Sequence, residues 1–183
     1  VARGLADDGD MSAQSLTVIR SSTNGRPSVG DLSSGNVIRI QRGRYVRIHR
    51  SGPPMTYWEI WALVARARLL VVSDSSSCSP IFVGASSFVA RSIPLWEANP
   101  DVVIWCGSRH GRRPMPAVTT QTVTIPSTLV CSTVKNPSER SVEIVAWLRC
   151  DSVVAAAVRM ACYSERPSGF VPICMALHRE SRF

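Results

Sequence analysis

Apolar and polar positions first alternate regularly in residues 36–50, NVIRIQRGRYVRIHR. Ile38 and Ile40 fall on one side and Arg39 and Gln41 on the other. After Gly43 the alternation resumes with Val46 and Ile48 against Arg47 and His49. Successive side chains of a strand point to opposite faces, so this stretch predicts a half-buried strand, or a bent strand pair, with a cationic outer row. Residues 1–35, rich in Ser, Gly, Asp and Asn and without sustained periodicity, read as an extended arm.

Beyond 36–50 the turn Ser51-Gly52-Pro53-Pro54 breaks the chain, and Thr56 with Glu59 forms a capping-box pattern that starts a short helix. Residues 61–72 then alternate Ala65, Ala67, Leu69 and Val71 with Arg66 and Arg68, as a strand would. Further strands are predicted within 81–90, at 101–106, in the Thr-rich 118–125, at 129–134 and over 141–150, with a polar loop at 73–80, a basic loop at 107–116 and a turn at 136–138. The Ala-rich 153–163 is open between helix and strand, and 167–183 reads as a tail. About eight strands with one short helix, and no regular exchange of helix with strand, predict an all-β sandwich and argue against a parallel α/β fold. The expected organisation is an arm (1–35), a β domain (36–150) and a C-terminal segment (151–183).

At 183 residues the chain has the length of one domain. Its net charge is +8, and 20 of its 21 basic residues are arginine, Lys135 being the exception. Guanidinium groups suit phosphate and interface pairing better than ammonium does, although a skew in coding composition produces the same excess. The six cysteines form no CxxC pair, and several lie in apolar runs, such as Cys106 and Cys131. They are read as buried free thiols in preference to disulfides, which fits a reducing compartment. No secretory leader is evident in 1–10. The longest apolar run, 60–72, contains Arg66 and Arg68 and is shorter than the roughly 20 residues of a membrane span, so a soluble protein is expected. A start at Val1 is compatible with cutting from a longer precursor and equally with loss of an initiator methionine.

Catalytic signatures are sparse. The three histidines, His49, His110 and His178, do not accompany a nucleophile elbow; Gly84-Ala85-Ser86-Ser87 and the pair Cys106/His110 are the nearest approaches, and structural roles are preferred for both. Asp7, Asp8 and Asp10 lie in the arm, and Glu143 with Arg149 reads as a surface pair. With no phosphate loop and no metal-ligand spacing, neither a catalytic residue nor a metal or cofactor is expected. The arginines are different. Those of 36–50 face no acid within the stretch, and Arg109, Arg112 and Arg113 form a second cluster. Together they predict a field that attracts phosphates with strong salt dependence, set against the plainer role of guarding a strand edge. Tyr45 alone interleaves with them, so a base-stacking platform has little support. The five tryptophans read as core residues or as anchors in subunit contacts.

The order of segments, and in particular Ser51-Gly52-Pro53-Pro54-Met55 leading to Trp61-Ala62-Leu63-Val64, and 129–134 with Asn136-Pro137 leading into 142–149, resembles the jelly-roll coat proteins of picorna-like viruses, above all the small coat proteins of the comovirus-like plant group. The resemblance covers 36–150. It implies an eight-stranded antiparallel jelly roll with one short helix and extended N- and C-terminal arms. It further implies a non-enzymatic subunit that assembles with other coat proteins, like and unlike, into an icosahedral shell around viral single-stranded RNA, in the virion and in host cytoplasm during assembly, without contact to a membrane. Arg39, Arg42, Arg44, Arg47 and Arg50, with Arg109, Arg112 and Arg113, are then the candidates for RNA or inter-subunit contact. The alternative is a β-rich RNA-binding accessory protein, such as an organellar ribosomal protein. A hydrolase using Ser or Cys with one of the three histidines is a third reading.

Overall fold

The computed structural model describes residues 15–49, 54–77, 79–106, 111–133 and 141–163, and in the C-terminal stretch 170, 171, 173–175, 177 and 178. Two compact units interleave along the chain, one of Val1–Asp74 with Met115–Ser127 and one of Ser75–Pro114 with Thr128–Phe183.

The first unit is built on a three-stranded antiparallel sheet in the order β1 (Ser15–Arg20), β3 (Arg44–His49), β2 (Val37–Gln41). The alternation read in 36–50 is realised as the β2–β3 hairpin. Leu16, Ile38, Ile40, Val46 and Ile48 are buried on one face, while Arg39, Arg47 and His49 are exposed on the other. Gly43, at φ +72°, takes the left-handed position in the turn that a side chain rarely adopts. On the exposed face a small second cluster, Ile19, Val37 and Tyr45, is covered by Leu32 of α2 (Val29–Ser33). That helix starts at Ser28, whose hydroxyl accepts the Asp31 N–H at 3.0 Å while the Asp31 carboxylate accepts the Ser28 N–H at 3.1 Å. A short turn, α1 (Ser21–Asn24), links β1 to this region. Thus 15–35, expected to belong to an extended arm, supplies a sheet strand and two helices.

The helix α3 runs over Tyr57–Ser75, 19 residues, starting from the capping box read in the sequence: Glu59 Oε2 accepts the Thr56 N–H at 2.6 Å and Thr56 Oγ1 accepts the Glu59 N–H. The expected strand over 61–72 is therefore corrected to helix. Between Leu63 and Val72 every residue except Arg66 is buried, and a helix enclosed on nearly all sides loses the polar stripe that would reveal its 3.6-residue period. Its Ala, Leu and Arg content and the lack of Gly or Pro favour helix, and the period-2 placement of Arg66 and Arg68 was incidental. Arg68 is 1% exposed. Its Nη2 donates to the Pro126 carbonyl at 2.7 Å and, more loosely, to that of Pro116 at 3.4 Å, so it joins α3 to both ends of the small hairpin of β7 (Val118–Thr119) and β8 (Thr124–Ile125). Burial pushes its pKa down to about 10, so it remains charged at neutral pH. At the other end of α3, Asp74 lies in the last turn of the helix, an unfavourable place for a carboxylate. Arg20 Nε, donating at 2.8 Å, and Arg44, at 3.1 Å, neutralise it.

The second unit holds a six-stranded mixed sheet ordered β10 (Val142–Val145), β11 (Leu148–Asp151), β4 (Ile81–Phe82), β5 (Val102–Trp105), β9 (Thr128–Ser132), β6 (Gly111–Met115). The β11–β4 and β5–β9 pairs are parallel, and β10–β11 and β4–β5 are antiparallel. The helices α4 (Ala85–Ala90) and α5 (Val153–Tyr163) pack on it, with Phe88 and Ile93 against Ala156 and Met160. Residues 153–163, open in the sequence, are thus helical, capped by Ser152 Oγ accepting the Ala155 N–H at 3.2 Å. The single strand expected over 141–150 is a hairpin. Ala146 and Trp147, at φ +46° and +63°, form its two-residue turn, in the left-handed conformation such turns require.

The eight-stranded antiparallel jelly roll with one short helix is therefore overturned. The described residues form eleven strands in three sheets, one of them mixed, together with helices that include the long α3 and α5. The two long helices occupy segments whose sequence pattern reads as strand (61–72) or stays open between helix and strand (153–163), and the parallel pairs join strands far apart in the chain, β4 with β11 and β5 with β9. Of the cysteines, Cys106, Cys131, Cys150, Cys162 and Cys174 are free thiols. Cys150 is buried as expected, whereas Cys162 and Cys174 are exposed; Cys78 lies outside the described residues. No described helix is long and apolar enough to cross a membrane.

Replacing Arg68 by Met, which keeps length but not donors, is expected to destabilise the first unit by roughly 1.5–3 kcal/mol, the value of hydrogen bonds to a charged group. Chemical denaturation measures the loss, and faster amide exchange at Thr120 and Val123 locates it in the β7–β8 hairpin. Unchanged exchange there contradicts the role.

Candidate nucleic-acid interface

The arginines of the first unit divide by their partners. Arg20 and Arg44 extend from the buried side of the sheet to Asp74, and Arg68 is enclosed among carbonyls. Arg39, Arg42 and Arg47 are exposed, and among the described residues none of them holds a hydrogen bond or ion pair. Strand register sets their geometry. Arg39 is opposite Tyr45 and Arg47 is opposite Val37, so Arg39 and Arg47 are diagonal neighbours on one face, roughly 7–8 Å apart at Cβ. Arg42 stands in the turn at the hairpin tip. Thr17, opposite Arg47 on β1, and His49 extend the polar row, with Thr17 Oγ1 and His49 Nε2 3.2 Å apart. The nearest acid is Asp31 of α2. It is held below the usual carboxylate range first by its hydrogen bonds with Ser28 and then by the charge of Arg47, and it remains fully ionised beside the row.

Four of the eight sequence-predicted positions thus lie on this hairpin; Arg39 and Arg47 share its exposed side and Arg42 is exposed at its tip. Arg44 is turned to the opposite face. Arg50 and Arg109 lie outside the described residues. Arg112 and Arg113, exposed on β6, belong to the second unit, where strand alternation sends them to opposite faces of an edge strand. Tyr45, the one aromatic among the arginines, is 5% exposed in the cluster under α2 and is not available for stacking.

A cleft of about 220 Å3 opens beside Arg39. The β2 residues Val37 and Ile38, both buried, line it together with Leu32, Thr119 and Gln121, and Gly35 and Thr120 complete its wall. The loop after β7 is held by the Thr120 N–H bond to the Val123 carbonyl at 2.9 Å, and Gln121 Nε2 donates to the Ser33 carbonyl. Some 80 residues of sequence separate the two walls, and no motif marks either, so only folding reveals the cleft.

The second unit contains a buried polar cluster, the strongest rival site. Ser87 Oγ donates to the Asp151 carbonyl at 2.8 Å, and Ser86 Oγ accepts the Val103 N–H at 2.7 Å, which assigns both serines of the Gly84-Ala85-Ser86-Ser87 segment to structural bonds. Arg91 Nη1 donates to the Ser87 carbonyl at 3.2 Å, and its Nη2 meets Glu143 at 2.6 Å. Glu143 thus pairs with Arg91 rather than with Arg149, whose Nη1 donates to the Ser79 carbonyl at 3.4 Å. Cys150 is a neutral thiol, its pKa pushed up to about 12 chiefly by burial. Asp151 is fully buried, and Arg159 Nε donates to its Oδ2 at 2.7 Å. Ser86, Ser87, Cys150 and Asp151 are buried, and Glu143, which is exposed, is held by Arg91. Among the described residues no group of three His, Cys, Asp or Glu side chains converges as metal ligands. His110, the histidine of the Cys106/His110 pair, lies outside the described residues.

No family model, curated protein or solved structure matches this chain.

Burial raises the Asp151 pKa above its ordinary 3.8 despite the hydrogen bond and charge of Arg159. The folded state therefore holds the proton more tightly than the unfolded chain, and this contribution to stability is full below about pH 3.8 and is lost as pH rises through the elevated folded value. Relative to Asp151→Asn, which does not titrate, the wild-type protein is expected to lose thermal stability as pH rises above about 3.8. A difference independent of pH contradicts this assignment.

Proposed function

We propose that the exposed face of the β1–β3–β2 sheet binds the phosphate backbone of nucleic acid, and that the protein works as an RNA-binding protein without catalytic chemistry. The observation that carries this reading is the trio Arg39, Arg42 and Arg47, gathered on one hairpin with no ion pair within 4 Å among the described residues and only Asp31 interacting with Arg47 at longer range, while Arg20, Arg44, Arg91 and Arg159 are paired with carboxylates. Guanidinium forks suit phosphate oxygens, and such contacts are insensitive to base identity. With Tyr45 in the core, this face has no aromatic platform, which favours backbone recognition over sequence readout.

Packaging of single-stranded RNA by a coat subunit is one setting for such a surface, and an accessory protein on structured RNA is another. A specific feature favours assembly with further subunits. Ile144 on the sheet-edge strand β10, and Val154 and Val158 one turn apart on α5, are 58–69% exposed, which offers an open strand edge and an apolar helix stripe to a further subunit.

Titration of a labelled 20-nucleotide single strand, followed by fluorescence anisotropy between 50 and 200 mM salt, tests the RNA contact. Each lost phosphate contact lowers the log–log salt slope by about 0.7, so R39A/R42A/R47A is expected to reduce it by about 2 and to weaken binding at least tenfold at the lower salt. The pair R112A/R113A measures the contribution of the second unit. An unaltered slope in the triple variant overturns the proposal.

A further inference from the structure

Resting on that reading of the basic face, we infer that the cleft beside Arg39 seats one unstacked base, so that the surface takes single strands in preference to duplex. β2 is an edge strand of its sheet. The Ile48 N–H bonds to the Asn36 carbonyl at 2.8 Å, which fixes the phase of the ladder: Asn36 and Ile38 bond inward to β3, and the main-chain N–H and carbonyl groups of Val37 and Arg39 point outward. That outward edge lies in the cleft, where β7 runs alongside β2 without pairing to it. A ligand entering there meets strand donors and acceptors on one side. On the other it meets the Gln121 amide, oriented by its own bond to the Ser33 carbonyl, which leaves Oε1 as an acceptor.

The chemistry of the walls suits a nucleobase. Leu32, half-buried at the wall, gives apolar contact to a flat ring, and the outward main-chain groups of β2 with the Gln121 amide face the donors and acceptors on the edge of a base. At about 220 Å3 the space is smaller than the pockets that hold drug-sized ligands, and one base is the scale of group it admits. Gly35 keeps the entrance open. At φ +74° it resists substitution, and a Cβ there would stand 3.2 Å from the Gln121 amide. Arg39 belongs both to the cleft and to the phosphate-binding row, so a strand tracking Arg42, Arg39 and Arg47 passes the mouth of the cleft. A duplex, whose bases are stacked and paired, cannot donate one without paying for unstacking.

Binding of one labelled sequence as a single strand and as a duplex, at fixed salt, tests the inference. The single strand is expected to bind at least about tenfold more tightly, the scale of one well-seated base. Thr119→Phe, which fills the cleft from an exposed position, is expected to reduce that preference to less than threefold and to leave duplex affinity unchanged; if circular dichroism shows this variant misfolded, Gln121→Ala replaces it. In the wild-type protein, uridine monophosphate is expected to shift the amide resonances of Gly35, Thr119 and Gln121, and ribose 5-phosphate is not. Equal affinity for the two forms, or a preference that survives the substitution, overturns the base seat. In either case salt-dependent binding lost in R39A/R42A/R47A still upholds the phosphate surface, whereas no binding of either form overturns both readings.

Discussion

One buried guanidinium organises the part of the molecule on which the candidate interface is built. Arg68, in the middle of a helix closed in by Leu, Val and Ala, has its charge met by main-chain oxygens of a hairpin some 50 residues further along the chain. Desolvating a charge is costly unless hydrogen bonds compensate it. The energetics therefore oblige the Pro116–Pro126 carbonyls to remain against α3, and with them the wall of the cleft that carries Thr119 and Gln121. Helix, hairpin and cleft are mechanically linked through this side chain.

The same residue type does two jobs according to whether a carboxylate is within reach. Against 21 basic residues stand 13 acidic ones, and three of the acids are committed to arginines by the fold: Asp74 to Arg20 and Arg44, Glu143 to Arg91, Asp151 to Arg159. Among the arginines without a carboxylate partner are Arg39 and Arg47, carried away from the core by strand alternation on the outer side of a hairpin, and Arg42 in its turn. A positive surface follows from this arithmetic and from the direction in which β2 and β3 face. It is a physical basis for attracting phosphate that requires no aromatic or catalytic residue.

Local signals were read well where one face of an element is dry and the other wet. The hairpin of 36–50 declared its buried and exposed rows, and Thr56 with Glu59 declared the start of α3. The length of α3 was hidden because burial on nearly every side erased its period, so that Arg66 and Arg68 imitated a strand. The β10–β11 turn was hidden because Ala146 and Trp147 occupy left-handed positions where Gly or Asn usually signals a reversal. These two misreadings, one helix taken for strand and one hairpin for a single strand, were enough to make a mixed fold look like an antiparallel sandwich. The resemblance to jelly-roll coat proteins drew on that order of segments, and its fold is replaced by the mixed sheet.

The sequence by itself determined the charge excess, the amphipathic hairpin and the helix cap, because each depends on residues within a few positions of one another. Which arginines stay free, which one is buried, and where a cleft opens were decided only by tertiary structure. Asp74 must come beside Arg20 and Arg44, and Gln121 beside Gly35, across distances in sequence that carry no periodic trace. Electrostatic pairing and concavity are properties of neighbours in space, and neighbours in space are chosen by the packing of the whole unit.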